Sequence, residues 1–512
     1  EISTRDWSSD VCSSDLKNTL QFVPTSGETA GKYLITDPLA DFVIFTGGET
    51  TVYAMIKARP DLHLSAETGG KDATIVTALS DRDQAIKNVI ASAFNNSGQK
   101  CSATSLLILE KEVYDDPHFK QTLIDAASSL QVGSVWDFQN RVGALIAPPS
   151  GTLKHALSYL DNNESWALKP SYSDDNNPYM LRPSIRWGTK NGDFCHMNEL
   201  FGPVLSVMRA ENLEHAIELV NATGYGLTSG LESLDEREQA IWKENLLAGN
   251  LYINRPTTGA IVMRQPFGGM GKSSIGSGRK AGGFNYVSQF MNLSLSSTNI
   301  HETLYHPYID RLRTLMNGSS PFTSELHSAI ATAKNFAYWL DREFTQERDI
   351  CRIRGESNIV RYRNVNSVLL RLESEESVHA ICASIAAIKM AGAKLYLSVP
   401  ADISSPSLLW LAEHHSVLLD IEDSFAQEDE NRLRQTMRQV DKIRYLNAEN
   451  VSPKVYQHSA DNALYISSEP FIPHGRIELM HYFREQSISH SYHRYGNLGL
   501  HANTKENTWK HR

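Results

Sequence analysis

Cysteine is scarce in this chain: five residues in 512, at Cys12, Cys101, Cys195, Cys351 and Cys382. Their number is odd, their spacing wide, and no pair stands at a CxxC or zinc-type interval, which argues against a disulfide framework or a structural zinc site. Positive charge is not in excess either. With 49 Lys and Arg against 59 Asp and Glu, the formal net charge is −10, the wrong sign for the basic footprint a nucleic-acid partner needs. No apolar run approaches the roughly 20 residues required to cross a bilayer; the longest, around Ala380–Ala391, reads as a buried helix. No basic segment leads into an apolar run near the N-terminus, so no signal peptide is read there. A reducing, cytoplasmic setting fits these absences.

What is present is an ordinary globular balance, 41% hydrophobic and 21% charged residues, in a chain long enough for about two or three domains. Residues 1–16 are rich in Ser and Asp, lack an apolar period and read as a non-native or disordered leader. Strand and helix patterns then alternate. Phe42–Phe45 and Leu62–Glu67 read as strands around a helix that ends near Lys57. Asp81–Asn95 reads as a helix with Asp81 as N-cap. Ser105–Glu110 is a buried strand, Asn212–Thr223 and Leu234–Leu247 are helices, and Gly249–Asn254 is a strand. A second alternating region follows a polar linker at Asn317–Thr323. Ser367–Leu372, Leu395–Val399 and Val417–Ile421 read as its strands, and Ser377–Met390, Leu408–His415 and Asp429–Val440 as its helices. The class is α/β with parallel sheets.

Two short segments carry chemistry. Ser97-Gly98-Gln99-Lys100-Cys101-Ser102 sets a cysteine in a polar turn before a buried strand, with Lys100 as a nearby positive charge that favours a thiolate. Glu67-Thr68-Gly69-Gly70-Lys71 sets a carboxylate at a strand terminus, where α/β sheets bind ligands and where desolvation raises a carboxyl pKa into the range of a general base. Alone, the first is equally a packing cysteine and the second a solvated loop glutamate.

Together the E-x-G-G-K and G-Q-K-C segments resemble the aldehyde dehydrogenase superfamily. Phe45-Thr46-Gly47-Gly48, the segment Asn198–Val204 with Glu199 and Phe201, and Gln265-Pro266-Phe267-Gly268-Gly269 match further family motifs in the same order. The resemblance implies a partial aldehyde dehydrogenase fold: an incomplete Rossmann-type cofactor domain plus an α/β catalytic domain, then a second Rossmann-like α/β domain. It implies Cys101 as nucleophile and Glu67 as base, and NAD as cofactor, with NADP left open. Gly47, Gly48, Glu199 and Phe201 would line the nicotinamide side.

Within the superfamily the similarity is to L-glutamate γ-semialdehyde (Δ1-pyrroline-5-carboxylate) dehydrogenases. This implies that Ser102 and the backbone of Gly259 and Ala260 hold the substrate carboxylate while Phe267 packs on its methylenes. A tight turn requiring glycine is the other reading of that loop. The C-terminal stretches Gly355–Asn358, Arg361–Arg363, Gly475–Leu479, Arg484–Gln486 and His493–Asn497 resemble the extra domain of long proline utilization A proteins. In those, a flavin-dependent proline dehydrogenase domain lies upstream, so FAD would belong only to that domain. His490 and His493 lack ligand partners at metal spacing, and no metal is expected.

The expected organisation is a leader at 1–16, a remnant of the NAD-binding domain at 17–66, and the catalytic domain at 67–288, with anchor loop and return at 251–288. A β-strand flap and linker follow at 289–320, then a degenerate aldehyde dehydrogenase-like domain at 321–512. Met291–Thr298 resembles a strand that pairs with a neighbouring unit, either a second copy in a homo-oligomer or the C-terminal domain. The family's oxyanion asparagine and its adenosine-binding strands have no counterpart, so the chain is expected to begin partway through a domain, to bind NAD weakly or not at all and to have little activity on its own. The expected partners are a small-molecule substrate and an upstream proline dehydrogenase domain, with no nucleic acid and no membrane span. The competing readings are a dehydrogenase for another aldehyde and a non-catalytic scaffold that kept the fold.

Overall fold

The structure, a computed structural model, describes residues 21–293, 304–316, 320–373, 376–493 and 497–498. The expected leader, most of Met291–Thr298 and part of the 317–323 linker lie outside the described residues. Strands β1 (Val43–Thr46) and β2 (Leu64–Glu67) flank a helix over Glu49–Ala58. After them come β3 (Ala73–Val76), β4 (Leu106–Glu110), β5 (Ser165–Leu168), β6 (Ser184–Thr189), β7 (Val204–Ala210) and β8 (Tyr225–Gly226). Next are β9 (Thr228–Glu232), β10 (Asn250–Ile253), β11 (Met270–Gly271) and β12 (Ser274–Gly276). The C-terminal region supplies β13 (Arg348–Asp349), β14 (Glu356–Asn364), β15 (Ser367–Arg371), β16 (Lys394–Pro400) and β17 (Ser424–Glu428). It ends with β18 (Lys442–Arg444), β19 (Ile466–Ser467) and β20 (Phe483–Ser491).

The longest sheet runs β13-β14-β20-β10-β9-β3-β4-β7-β6-β5. Its centre is buried on both faces, every residue of β3 and β4 being inaccessible, which is why these strands read as continuous apolar runs. The helix Arg82–Phe94 joins them, its first turn capped by Asp81, which accepts from the Gln84 N–H at 3.2 Å. A small sheet, β1-β2-β12, joins the two strands before Thr68 to one from the glycine-rich stretch after residue 267. A third sheet, β17-β16-β15-β18-β19, is wholly parallel and has its strand order reversed about β15, the doubly wound pattern.

The C-terminal region does not stand apart. β20 pairs in parallel with β10, setting Ile488 opposite Leu251, and β14 pairs antiparallel with β20. Ile488 joins the catalytic core of Leu251, Ile253, Trp242 and Leu231. Within the range expected as flap and linker, Pro307–Thr314 is a helix. The Ala380–Ala391 run lies in a helix over Val378–Met390 that buries ten of its residues, Cys382 among them.

The strand expected at Val417–Ile421 is absent. The helix Pro406–Leu418 runs through it to bury Leu418, Ile421 stands fully exposed in a turn, and the strand is Ser424–Glu428. Leu411 and Leu418 are spaced two helical turns apart and lie on one buried face, so the periodicity continues where a strand was read. Among the described residues no helix is long and apolar enough to cross a membrane.

Candidate active site

Glu67 ends β2, between Thr46 of β1 and Ser274 of β12. Its Oε2 accepts from the Gly269 N–H at 2.8 Å and its Oε1 from the Ser274 hydroxyl at 3.3 Å. Burial pushes its pKa up to about 7, opposed by the Lys280 charge and those two hydrogen bonds. Lys280 is itself buried behind the Phe267–Gly269 turn, where its Nζ donates to Asn250 Oδ1 at 2.7 Å and to the Gly268 carbonyl. The sequence reading assigned Lys280 no role; a lysine at the close of a glycine-rich loop carries no signal of its own burial.

The cysteine turn begins where the helix Arg82–Phe94 stops. Asn96, Ser97 and Gly98 take consecutive positive φ values of 58°, 59° and 65°, reversing the chain in three residues. Only glycine fits the third position, because a Cβ there would lie 2.4 Å from the Gly202 carbonyl oxygen. Gln99 ties the turn to its surroundings, donating to the Phe201 carbonyl at 3.3 Å and accepting from the Ile146 N–H at 2.9 Å. After Cys101, the carbonyl of buried Ser102 accepts from the Thr257 hydroxyl at 2.9 Å, and hydroxyl contacts run on from Thr257 to Thr104 and Thr74.

Around the thiol the electrostatics oppose the sequence expectation. Lys100 is exposed to solvent. Burial, then the carboxylates of Asp72, Glu199 and Glu67, push the Cys101 thiol up to about 11. The thiolate is therefore disfavoured at rest, because negative charge gathers around it while the lysine next in sequence stays hydrated. The same interactions mean that Cys101 lies near enough to Asp72, Glu199 and Glu67 to feel their charge.

Glu199 reaches this site from the turn before β7. Its Oε1 accepts from the Gly70 N–H at 3.1 Å, and a Cβ on Gly69 would fall 2.0 Å from Oε2. The glycine pair therefore makes the cradle in which the carboxylate rests. Phe201, at φ 52°, leaves 39% of its surface open at the rim. Gly47 donates to the Glu67 carbonyl at 3.2 Å, and Gly48 precedes the helix whose first residue, Glu49, accepts from Tyr53 and Tyr225 hydroxyls at 2.5 and 3.1 Å.

Two further buried ions escaped the sequence reading. Lys71 Nζ has no hydrogen-bond partner among the described residues, and burial pulls its pKa down to about 8 against the attraction of Cys195, Glu199 and Asp72. Asp72 accepts from the Thr228 N–H at 2.7 Å, and burial holds its carboxyl well above its ordinary range. Both directly follow the E-T-G-G stretch, the one signal that could have flagged them.

Gly259, at φ 89°, and Ala260 lie on an exposed turn beyond Thr257. The positive φ satisfies the backbone reading of that glycine, and the exposed turn leaves its amides accessible. Phe267 is half-buried and its N–H donates to the Ala281 carbonyl at 2.9 Å. Away from this site, Asp161, Glu164 and Asp193 bring carboxylates together, but Glu164 is engaged by buried Arg186 and by Thr189.

The chain belongs to the aldehyde dehydrogenase family, whose sequence profile matches residues 17–295, the span that contains every residue of this site. Among individual proteins it is 33% identical over 286 residues to the 1-pyrroline-5-carboxylate dehydrogenase of Bacillus subtilis (strain 168), covering 54% of this chain and 55% of that one. It is 32% identical over 278 residues to the enzyme of the same name from Geobacillus sp. (strain WCH70), covering 52% and 53%. The chain thus spans about half the length of the curated relatives it matches. Proline utilization A from Corynebacterium freiburgense superposes with a TM-score of 0.77 at 34% identity, over 93% of this chain and 44% of that one. That match extends into the C-terminal region.

Proposed function

We propose that this chain carries the reacting thiol and base of an NAD-dependent dehydrogenase that oxidises L-glutamate γ-semialdehyde to L-glutamate, the second step of proline catabolism. The observation that supports the reading is that the Cys101 thiol feels the charge of Glu67 and Glu199, which are held on the Gly269 and Gly70 N–H groups. The names of the relatives supply the substrate.

The nicotinamide side of the cofactor fits the residues present. With Glu199 Oε1 on the Gly70 N–H, Oε2 in the glycine cradle is the acceptor for a ribose hydroxyl, and the exposed Phe201 ring offers a packing face. NAD, when bound, supplies the hydride acceptor. Everything else falls to the chain. Glu67, with a pKa near 7, takes the proton from the Cys101 thiol, whose own pKa keeps it protonated otherwise. The sulfur attacks the aldehyde carbon to form a thiohemiacetal, and loss of hydride leaves a thioester on Cys101. Glu67 releases that proton to solvent, then takes one from water as the water attacks the thioester carbon and returns it to the departing sulfur, so that glutamate leaves and the thiol is restored. The Gly259 and Ala260 amides and the Ser102 hydroxyl receive the substrate's α-carboxylate, and Phe267 packs against its methylenes. Where a proline dehydrogenase domain stands upstream, FAD serves that domain and the semialdehyde is its product. A cytoplasmic setting suits the four free cysteines among the described residues.

The test is NADH formation by the full chain with glutamate γ-semialdehyde, succinate semialdehyde and propanal, with NADP as a second cofactor arm. The highest kcat/KM is expected for glutamate γ-semialdehyde, and Cys101→Ser should abolish turnover. Preference for the uncharged aldehyde, or turnover that survives in the Cys101 variant, would refute the reading.

A further inference from the structure

The loop that carries Gly259 and Ala260 is pinned at both ends by a carboxylate from the C-terminal region. Glu356 opens β14, 101 residues from Arg255 and 92 from Arg264. Its Oε2 accepts from Arg255 Nη1 at 2.7 Å, and its Oε1 pairs with Arg264 Nη2. Arg255 stands just before the loop and Arg264 just after it. One carboxylate thus fixes the separation of the two ends.

A second set of contacts repeats the arrangement one step inward. Arg255 Nη1 also donates to Ser489 Oγ of β20 at 2.5 Å. Gln265 Nε2 donates to Asn358 Oδ1 of β14 at 2.6 Å, and Ser489 Oγ donates to the same oxygen at 2.7 Å. Gln265 Oε1 in turn accepts from the Ile261 N–H at 3.1 Å, inside the loop. Gln265, Asn358 and Ser489 are all buried. Between the pinned ends the tip is open: Ile261 is 47% and Val262 71% exposed. Within the loop the Met263 N–H donates to the Gly282 carbonyl at 2.9 Å, and an exposed loop of this kind holds its amides in one direction more firmly when its ends are also held.

We propose that Glu356 is a positioning residue that sets the geometry of the Gly259–Ala260 amides, so that the C-terminal strands determine the affinity of the site for a carboxylate-bearing aldehyde. This rests on the reading of the loop as a carboxylate receptor. Glu356 touches no reacting atom. Its loss therefore weakens capture of the charged substrate and leaves the chemical step in place.

The experiment uses the full chain with Glu356→Gln and, as a control, Arg361→Gln. Arg361 pairs with Glu244 elsewhere on β14 and supports the docking of that strand without touching the loop. In Glu356→Gln, the KM for glutamate γ-semialdehyde should rise about tenfold with kcat within about twofold, and the KM for propanal should stay unchanged. Amide hydrogen exchange over residues 256–263 should quicken in Glu356→Gln and not in Arg361→Gln. Unchanged exchange in Glu356→Gln, an equal KM rise for both aldehydes, or the same loop response in the control overturns the proposal. If the parent chain oxidises neither aldehyde, the functional reading fails and the exchange measurement alone decides whether Glu356 holds the loop.

Discussion

Glu67 and Cys101 have opposite protonation problems that one site sets and resolves. Burial lifts the carboxyl to about 7 and the thiol to about 11, so at neutral pH the carboxyl is half ionised and the thiol neutral. The groups facing Glu67 are Lys280, the Ser274 hydroxyl, the Gly269 N–H and Cys101. A base with a raised pKa works only above it, so thioester hydrolysis should increase through pH 7 and level off beyond. In Glu67→Gln that limb should vanish and turnover should fall about 10²–10⁴-fold, read from stopped-flow and steady-state profiles. The thiol supplies an independent check. Neighbouring negative charge opposes the thiolate, so removing the Glu67 charge lowers the Cys101 pKa. At pH 9, where exchange with solvent rather than Glu67 sets the ionisation of the thiol, alkylation of Cys101 by iodoacetamide should therefore be faster in Glu67→Gln than in the parent; an unchanged rate would place the two groups apart.

At the scale of elements, the cysteine turn is the most constrained piece of backbone. Gly98→Ala brings both a positive-φ penalty of about 1–2 kcal/mol and a collision with the Gly202 carbonyl. Gly151→Ala, at φ 51° with nothing within 4 Å of the added methyl, brings only the first. Chemical denaturation should therefore find Gly98→Ala the less stable of the two, and it alone should lose NADH production, because the turn and the Phe201–Gly202 segment move together. Elements with a cap or a period were legible from sequence: the Asp81 cap, the helix expected at Ser377–Met390 and the buried run of β4 appear where expected. β14 and β20 were not. Their interior positions include Asn358, Arg361, Gln486, Ser487 and Ser489, all buried. Arg361 is satisfied by Gln486 at 2.8 Å and by Glu244. A strand whose buried face is polar shows no apolar alternation, and both partners of β20 lie more than a hundred residues away.

At the scale of the molecule, β20 ties the two halves into one sheet. Its Ile488 is 4% exposed in the catalytic core, so Ile488→Ala should cost about 2–5 kcal/mol and lower the catalytic half and the C-terminal half together in a single unfolding transition. Separate transitions, with the catalytic half unaffected, would mean that the shared sheet does not couple them. The sequence by itself determined the family and the ordered motifs, and it nominated the thiol and base, because these depend on residue types at fixed local spacing. Only the tertiary structure decided that Lys100 leaves the thiol unaided, that Asp72 is buried near it, Lys71 near Glu199 and Lys280 near Glu67, and that a carboxylate distant in sequence pairs with both Arg255 and Arg264. Burial and Coulomb interactions depend on distance through space, and local spacing along the chain does not encode it.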